Sequence, residues 1–521
     1  MTTLRRSTGA CVLALAAVLL LGSCAGPGGR GPLPKVAAQD EQTQLLWLDR
    51  VTWGANASSA EQLAHEGLPA WLREQLHPGP ARLPPEAQAR IDAMKISQAP
   101  IDQLAESLAA QRRAADALAD DEQKQAARKV LQQDLTQLAQ ESRQRFLLRA
   151  LYSPNQLQEQ MTWFWMNHFN VSARKANVRA LVGDYEENAI RPHALGKFRD
   201  LLGATAHHPA MLVYLDNAQN AANRINENYA RELMELHTLG VGSGYSQADV
   251  QELARVLTGV GVRVPVPDAQ PPRIRPALAG DYTVRGLYVF NPNRHDYGTK
   301  QLLGQPMTQR GPAEVEEALD RLARSPATAR FISTQLAIYF VADEPPPALV
   351  DRMAQAFAQS DGDIAATLQA MFESPEFAAS LGHQFRDPVH YVIAGVRLAY
   401  DGRVVRNTNP MLGWINRMGE PLYGHETPDG YPLKQEAWSS AGQMSTRFEI
   451  ARAIGANGAV LFRDTDGAPL ERPAYPQLAD ARTVRASLPG WSADTRAALE
   501  QARSPQDWNT FLLASPELMR R

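Results

Sequence analysis

The sequence predicts a mainly α-helical protein: a multi-helical body with a short β-hairpin insertion and a loop-rich C-terminal third. Apolar residues recur at helical spacing through most of the chain, one short stretch alternates like a strand, and turn residues gather after Asp401. Of the 521 residues, 44% are hydrophobic and 21% are charged, and the formal net charge is -3. Because a basic excess is missing, this composition argues against nucleic acid as a partner.

The first residues resemble an export signal. Arg5 and Arg6 precede an apolar stretch that is followed by the small residues before Cys24. A basic segment, a short apolar segment and small residues at the cut are typical of a secretory signal, and the apolar segment is shorter than a membrane span. We therefore predict a signal peptide over residues 1–23 and a flexible tether over residues 24–40, which is rich in Gly and Pro.

The segment Leu21-Gly-Ser-Cys24 resembles a bacterial lipoprotein box, which implies cleavage before Cys24 and lipidation of its thiol. Ordinary signal-peptide cleavage nearby is the alternative. The lipid would anchor the protein to a membrane. Because Ala25 rather than aspartate follows the cysteine, the resemblance implies the outer membrane, with the body facing the periplasm or the cell surface. The other cysteine, Cys11, leaves with the signal, so the mature body has no thiol for disulfides, catalysis or metal binding.

The body, residues 41–521, is predicted to be helical over most of its length. Ser58-x-x-Glu61 and Ser246-x-x-Asp249 have the pattern of capping boxes, each of which begins a helix. Residues 100–150 carry apolar positions at helical spacing among Ala, Gln and charged residues, which predicts one or two long amphipathic helices.

Two places interrupt the helical pattern and suggest sub-boundaries, near residues 261–298 and near residue 401. Residues 260–264 alternate, and residues 282–290 have the pattern of a small hairpin. Helices resume from Ala313, and the chain after residue 401 is rich in turn signals.

Residues 226–240 concentrate ionisable groups on a predicted helix of about four turns. One broad arc of that helix holds Glu227, Asn228, Arg231, Glu232 and Glu235. Since Glu227, Arg231 and Glu235 are spaced four apart, they are suited to an ion ladder on a solvated face, worth about 0.2–0.5 kcal/mol per pair. The same groups are also suited to binding or acid–base chemistry, and both interpretations stay open.

His237 falls on the opposite, apolar arc of this helix and is therefore expected to be buried. A buried imidazole must find hydrogen-bond partners or lose its charge. It is either a satisfied core histidine or a base or ligand at a site.

The stretch Met161-Thr-Trp-Phe-Trp-Met-Asn-His-Phe169 has apolar residues on every side, which predicts a helix buried all round. It nevertheless carries Asn167 and His168 next to Trp165. An amide and an imidazole among large aromatic side chains line either a polar pocket or a core network.

A third polar group follows the hairpin, in a loop that contains His295, Asp296 and Lys300. Dense functional groups in a loop have less structural reason to be there than in a helix. His295 with Asp296 forms either an oriented base or metal ligand, or a turn that the aspartate stabilises.

These motifs resemble the bacterial family called domain of unknown function 1800. The matching segments are Arg50-Val-Thr-Trp-Gly54, Phe164-Trp-Met-Asn-His-Phe169, Pro209-Ala-Met-Leu212, residues 226–240, Gly244-Tyr-Ser-Gln-Ala-Asp249, Leu257-Thr-Gly259, His295-Asp-x-Gly-x-Lys300, Pro326-Ala-Thr-Ala-Arg-Phe331, Asp429-Gly-Tyr-Pro432 and Trp438-Ser439. Val260 stands where family members usually have Trp, which puts one pocket wall in doubt. The resemblance implies a map of motifs and no mechanism.

The first functional hypothesis is a hydrolase that acts on an extracytoplasmic polymer such as a glycan, because paired carboxylates suit acid–base chemistry at a glycosidic bond. Its predicted catalytic residues are Glu232, Glu235, His237 and Asp296. Its predicted binding residues are Trp165, Asn167, His168, Asn226, Glu227, Asn228, Arg231, His295 and Lys300.

Two alternatives stay open. In the second hypothesis the protein is a redox protein that binds a divalent metal or haem, with His168, His237 and His295 as ligands, since imidazoles suit such sites when thiolates are missing. In the third, a non-catalytic envelope lipoprotein binds a polymer or protein partner or assists assembly. The three segments are expected to meet at one polar pocket, and an enzymatic role is favoured slightly over a binding one.

Overall fold

The computed structural model describes residues 34–36, 39–175, 177–266, 270, 272–456, 458–463 and 475–521. The structure is 62% helical and 4% strand, which confirms the mainly α class. The predicted signal peptide, Cys24 and most of the predicted tether lie outside the described residues. In the part of the chain that is described, none of the helices has both the length and the apolar character to cross a membrane.

The helices of the first half are α1 (Glu41–Val51), α2 (Ala57–Glu66), α3 (Leu68–Leu76), α4 (Pro85–Asp92), α5 (Lys95–Gln98), α6 (Ile101–Asp116), α7 (Asp121–Tyr152), α8 (Gln156–His168), α9 (Val178–Asp184), α10 (Phe198–His207), α11 (Pro209–Tyr214), α12 (Asn228–Glu235) and α13 (Gln247–Val256). Those of the second half are α14 (Pro312–Ala323), α15 (Pro326–Phe340), α16 (Pro347–Gln359), α17 (Ile364–Phe372), α18 (Pro375–Ser380), α19 (Pro388–Ala399), α20 (Asn409–Arg417), α21 (Ala441–Ala456), α22 (Arg482–Ser487), α23 (Ala493–Glu500) and α24 (Pro505–Leu513).

The two expected capping boxes have different outcomes. At α13 the box is present, because Ser246 accepts from the Asp249 backbone while Asp249 accepts from the Ser246 backbone. At α2 the prediction is wrong: Asn56 is the N-cap and accepts from Ser59 N at 3.1 Å. Ser58 instead donates its N–H and hydroxyl to Asp401, 343 residues away in the chain.

Residues 100–150 form the two predicted helices, α6 and α7. With 32 residues, α7 is about 48 Å long. Its N-terminal half packs with α6 around a small core of Leu131, Leu135 and Leu138. Its C-terminal half, which includes Phe146, enters the main hydrophobic core. This helix therefore connects a peripheral helical pair to the centre of the fold.

A three-stranded antiparallel sheet forms where the alternating pattern predicts it. It contains β1 (Val260–Val262), β2 (Thr283–Arg285) and β3 (Tyr288–Phe290), in the order β1-β3-β2. Phe290 of β3 lies opposite both Val260 and Thr283. A second small hairpin, β4 (Gln301–Leu302) with β5 (Gln305–Pro306), was not predicted.

The C-terminal third is both irregular and helical. The loop-rich stretch is concentrated between α20 and α21, where residues 418–440 contain one short 3-10 turn, Gln435–Ala437. Beyond it, α21 packs along α24 and against α19. The irregular stretch lies beside α8 and α15, and this is where the fold opens into a cleft.

Candidate functional site

An open cleft of about 860 Å³ lies between the C-terminal end of α8, the segment that follows α12, one face of α15 and residues 429–436. Its ionisable and amide side chains are Asn167, His168, Glu235, Arg330, Gln335, Asp429, Lys434 and Glu436. Its larger apolar side chains are Phe164, Leu236, Leu239, Val241, Phe331, Ile338, Tyr431 and Leu433. It is thus a mixed surface, able to contact both rings and polar groups.

Helix α8 is buried along almost its whole length, as predicted, and reaches the cleft near its C-terminal end through Phe164, Asn167 and His168. Trp165 lies in the core and is fully buried. Its indole N–H donates to Ala194 O at 2.9 Å. The structure therefore places Asn167 and His168 in the cleft and Trp165 behind it.

Asn167 fixes the opposite wall of the cleft. Its Nδ2 donates to Tyr431 O at 2.9 Å, and its Oδ1 accepts from Tyr431 N at 2.6 Å. The preceding Gly430 has φ +73°, and a Cβ there would overlap the backbone oxygen of Asn167 and come within 2.8 Å of its Oδ1. Only glycine allows this close approach without strain. The reciprocal bonds hold the segment that carries Asp429 against α8.

His168 has a defined tautomer. Its Nε2 lies 3.0 Å from His237 O, and because a carbonyl oxygen only accepts, Nε2 must carry the proton. Burial lowers the pKa of His168 to about 4, so the ring is neutral at pH 7. Nδ1 makes no hydrogen bond with the residues that the structure describes. It therefore offers a lone pair to a ligand in the cleft.

His237 is fully buried, as predicted, and lies behind His168 rather than in the cleft. The two ring centroids are 6.1 Å apart, and in the described part of the chain neither ring nitrogen of His237 has a hydrogen-bond partner. Burial, and then the neighbouring His168, lower the pKa of His237 well below its usual value. Its backbone carbonyl, which orients His168, is its visible contribution to the cleft.

Helix α12 is shorter than the four turns that the sequence predicts. It ends at Glu235, where the chain widens into a turn whose hydrogen bonds span five residues: His237 N donates to Glu232 O and Leu239 N to Met234 O. Gly240 completes the turn with φ +84°, and a Cβ there would lie 2.8 Å from the Phe331 ring. The close approach to α15 ends the helix and turns Glu235 toward the cleft.

The polar arc of α12 divides between an ion ladder and the cleft. Arg231 lies 3.4 Å from carboxylate oxygens of both Glu227 and Glu235, which is the predicted ladder. The side-chain amides of Asn226 and Asn228 hydrogen-bond to backbone carbonyl groups: Asn226 Nδ2 donates to Asp216 O and Asn228 Nδ2 to Leu215 O, both at 3.2 Å. Of this arc, Glu235 is the residue that lines the cleft.

Glu232 is half-buried beside the cleft rather than in its lining. Burial raises the pKa of Glu232, and the neighbouring carboxylates of Glu235 and Asp429 raise it further, against the effect of Arg231. Burial and these two neighbouring carboxylates therefore favour the protonated form of Glu232.

Asp429 belongs to a loop that several side chains hold in place. Its Oδ1 accepts from Thr427 Oγ1 at 2.5 Å and lies 3.3 Å from His425 Nε2. Asn170 donates to Thr427 O at 2.7 Å, and Tyr214 donates to Glu426 O at 2.8 Å. This wall was missed as a site from the sequence, although its Asp-Gly-Tyr-Pro turn was visible there.

The third predicted segment does not reach the cleft. His295 is buried between Thr258 O, 2.8 Å from Nδ1, and Glu314 Oε2, 3.1 Å from Nε2. Lys300 Nζ lies 2.9 Å from the same Glu314 oxygen. The hydrogen bond from Arg255 is the largest effect that lowers the pKa of Asp296, to about 2. These groups form a closed ionic cluster next to the small sheet.

The histidines of the metal hypothesis are not brought together, because His295 lies in that separate cluster while His168 and His237 lie at the cleft. Within the described ranges, no group of three or more His, Cys, Asp or Glu side chains is arranged to hold a metal ion.

Comparison with known proteins identifies a family. The family model described as "Protein of unknown function (DUF1800)" matches residues 46–520, nearly the whole chain. No curated protein and no solved structure matches it.

Proposed function

The chain belongs to the DUF1800 family, and because membership names no reaction, we propose from the cleft that it is a hydrolase of an extracytoplasmic glycan. In this proposal the body is exported and anchored to the envelope through a lipidated Cys24. The observation that carries the proposal is the meeting of Glu235 and Asp429 in one open cleft, with Glu232 beside them.

The proposed chemistry is general acid–base hydrolysis of a glycosidic bond. It needs one carboxyl group that keeps its proton and another that is ionised. Burial of Glu232 and repulsion from the carboxylates of Glu235 and Asp429 support this division, since together they raise the pKa of Glu232. The Glu232–Glu235 pair would protonate the leaving oxygen, and Asp429 would activate water or attack the sugar.

The remaining lining supports substrate binding. Nδ1 of neutral His168 accepts a hydrogen bond from a hydroxyl group, while Phe331 and Tyr431 offer apolar ring faces. The α15 wall runs from Ala327 to Ile338, a rise of eleven residue steps or about 16 Å. A cleft that is open and long in this way suits a segment of a polymer better than a small, enclosed ligand.

The proposal is tested by incubating purified protein with envelope and other bacterial polysaccharides and measuring new reducing ends. Glu235→Gln and Asp429→Asn should each reduce turnover by about 10²–10⁴-fold while the circular dichroism spectrum is unchanged. Glu227→Gln is the matched control, because Glu227 pairs with Arg231 as Glu235 does but contacts Gln247 outside the cleft.

If the wild type cleaves a glycan and both cleft variants cleave it equally fast, Glu235 and Asp429 are not the catalytic carboxylates. Saturable glycan binding without any bond cleavage would replace the hydrolase with a non-catalytic binding protein. Both outcomes are read from the same samples, since binding and reducing ends are measured in parallel.

A further inference from the structure

Charged side chains of both signs line the cleft. Asp429 and Glu235, with Glu232 behind them, form its acidic region, whereas Lys434 lies five residues beyond Asp429 on the same wall. Five residues span at most about 17 Å, so both charges are within reach of one polymer segment.

Lys434 is a cation without a partner. In the described part of the chain its ammonium group makes no hydrogen bond and no ion pair, although it lines the cleft and is only partly exposed. The other cleft cation, Arg330, is already paired with Asp351 on the protein surface. An unpaired ammonium group in a partly enclosed wall favours a negative group on the ligand.

The position of Lys434 is fixed by its neighbours. The N–H of Gln435 donates to Asp343 Oδ2 at 2.9 Å, and Arg520 donates to Gln435 Oε1 at 3.4 Å. The first bond ties this part of the wall to the region just after α15, and the second ties it to the C-terminal residues. Glu436 also lines this end, on the short 3-10 turn, but forms no ion pair with Lys434.

We propose that Lys434 forms an anion subsite and that the glycan substrate carries carboxylate groups, one of which binds there while an adjacent linkage lies at Asp429 and Glu235. The proposal rests on the proposed hydrolase function for its second half only. Binding of the carboxylate by Lys434 does not require that any bond be broken.

The test uses two matched pairs of probes in titration calorimetry. One pair is tetragalacturonate and its methyl ester, and the other is a muramic acid-containing peptidoglycan fragment with its lactyl carboxylate free or amidated. In at least one pair the acid should bind about five-fold more tightly than its neutral counterpart, the ratio expected for one partly exposed ion pair. Added salt should reduce that ratio.

Lys434→Gln should remove the preference for the acid, and Lys129→Gln should keep it. Lys129 is an exposed lysine of α7 that does not line the cleft, so it controls for net charge. Equal binding of acid and neutral probes by the wild type, binding of none of them, or a preference that survives Lys434→Gln would each overturn the inference.

The two proposals fail in different ways. Binding of an acidic probe that depends on Lys434, without bond cleavage, would support the anion subsite and contradict the hydrolase. Cleavage of glycans without any preference for the acid would do the reverse.

Discussion

Substitution of Gly430 by alanine is the sharpest test of how the cleft wall is held. Gly430 has φ +73°, and a Cβ there would overlap the backbone oxygen of Asn167. The wall must therefore move away from α8. That movement would break the two hydrogen bonds between Asn167 and Tyr431 and displace Asp429.

The expected cost has two parts. A left-handed backbone at a non-glycine residue costs about 1–2 kcal/mol. Loss of the two hydrogen bonds adds about 1–3 kcal/mol, at about 0.5–1.5 kcal/mol each. Gly430→Ala should therefore lower the free energy of unfolding by about 2–5 kcal/mol.

Gly402→Ala is the matched control, because Gly402 has φ +77° but a Cβ there would meet nothing within 4 Å. Gly402→Ala should lower the free energy of unfolding only by the cost of the left-handed backbone, about 1–2 kcal/mol. The two variants are compared by urea denaturation, and by hydrogen exchange of a peptide that covers residues 427–436. Exchange there should accelerate in Gly430→Ala only.

Equal destabilisation of the two variants, with unchanged exchange over residues 427–436, would refute this reasoning. It would show that the wall relaxes around a methyl group without losing the Asn167 bonds. The position of Asp429 would then depend on other contacts.

Three further predictions concern stability. The pKa of His168 is about 4 in the folded protein and 6.5 when unperturbed, so between these values the unfolded chain binds more protons. The stability due to the neutral ring is complete above pH 6.5 and is lost as the pH falls toward 4. Between these values His168→Gln should reduce the slope of the unfolding free energy against pH by at most about 1.4 kcal/mol per pH unit. An unchanged slope would contradict this prediction. Glu314→Ala should lower the free energy of unfolding, measured by urea denaturation, by about 3–5 kcal/mol, because it leaves the Lys300 charge buried and unpaired. Glycan binding should be unaffected, since this cluster lies outside the cleft. Arg231→Gln should lower the free energy of unfolding by less than about 1 kcal/mol, since the ion ladder of Arg231 is partly exposed. A larger loss would show that the ladder contributes substantially to the stability of the fold.

Features that depend on neighbouring residues could be predicted from the sequence. The α13 capping box, the hairpin that Gly286 closes and the burial of α8 all follow from local pattern. Asn167 and His168 were identified for the same reason, since an amide and an imidazole in an otherwise apolar helix are visible without knowing the fold.

Features that depend on distant contacts could not be predicted. Ser58 is drawn away from a capping role by Asp401, and α12 ends early because Gly240 packs on Phe331. His295 is a residue type that is common at functional sites and lies in a polar loop, but Glu314 and Thr258 are the hydrogen-bond partners of its ring nitrogens. Asp429 and Lys434 lie in an irregular loop, where local sequence does not show which surface the loop faces.

The bonds between Asn167 and Tyr431 join positions that are 264 residues apart. A contact of such long range closes a large loop and is expected to form late in folding. A nascent or truncated chain that stops before residue 429 would contain His168 but would lack the carboxylate of Asp429 on the opposite wall of the cleft. The complete cleft can therefore exist only after the chain has been made as far as Glu436, long after the helix that carries Asn167 and His168.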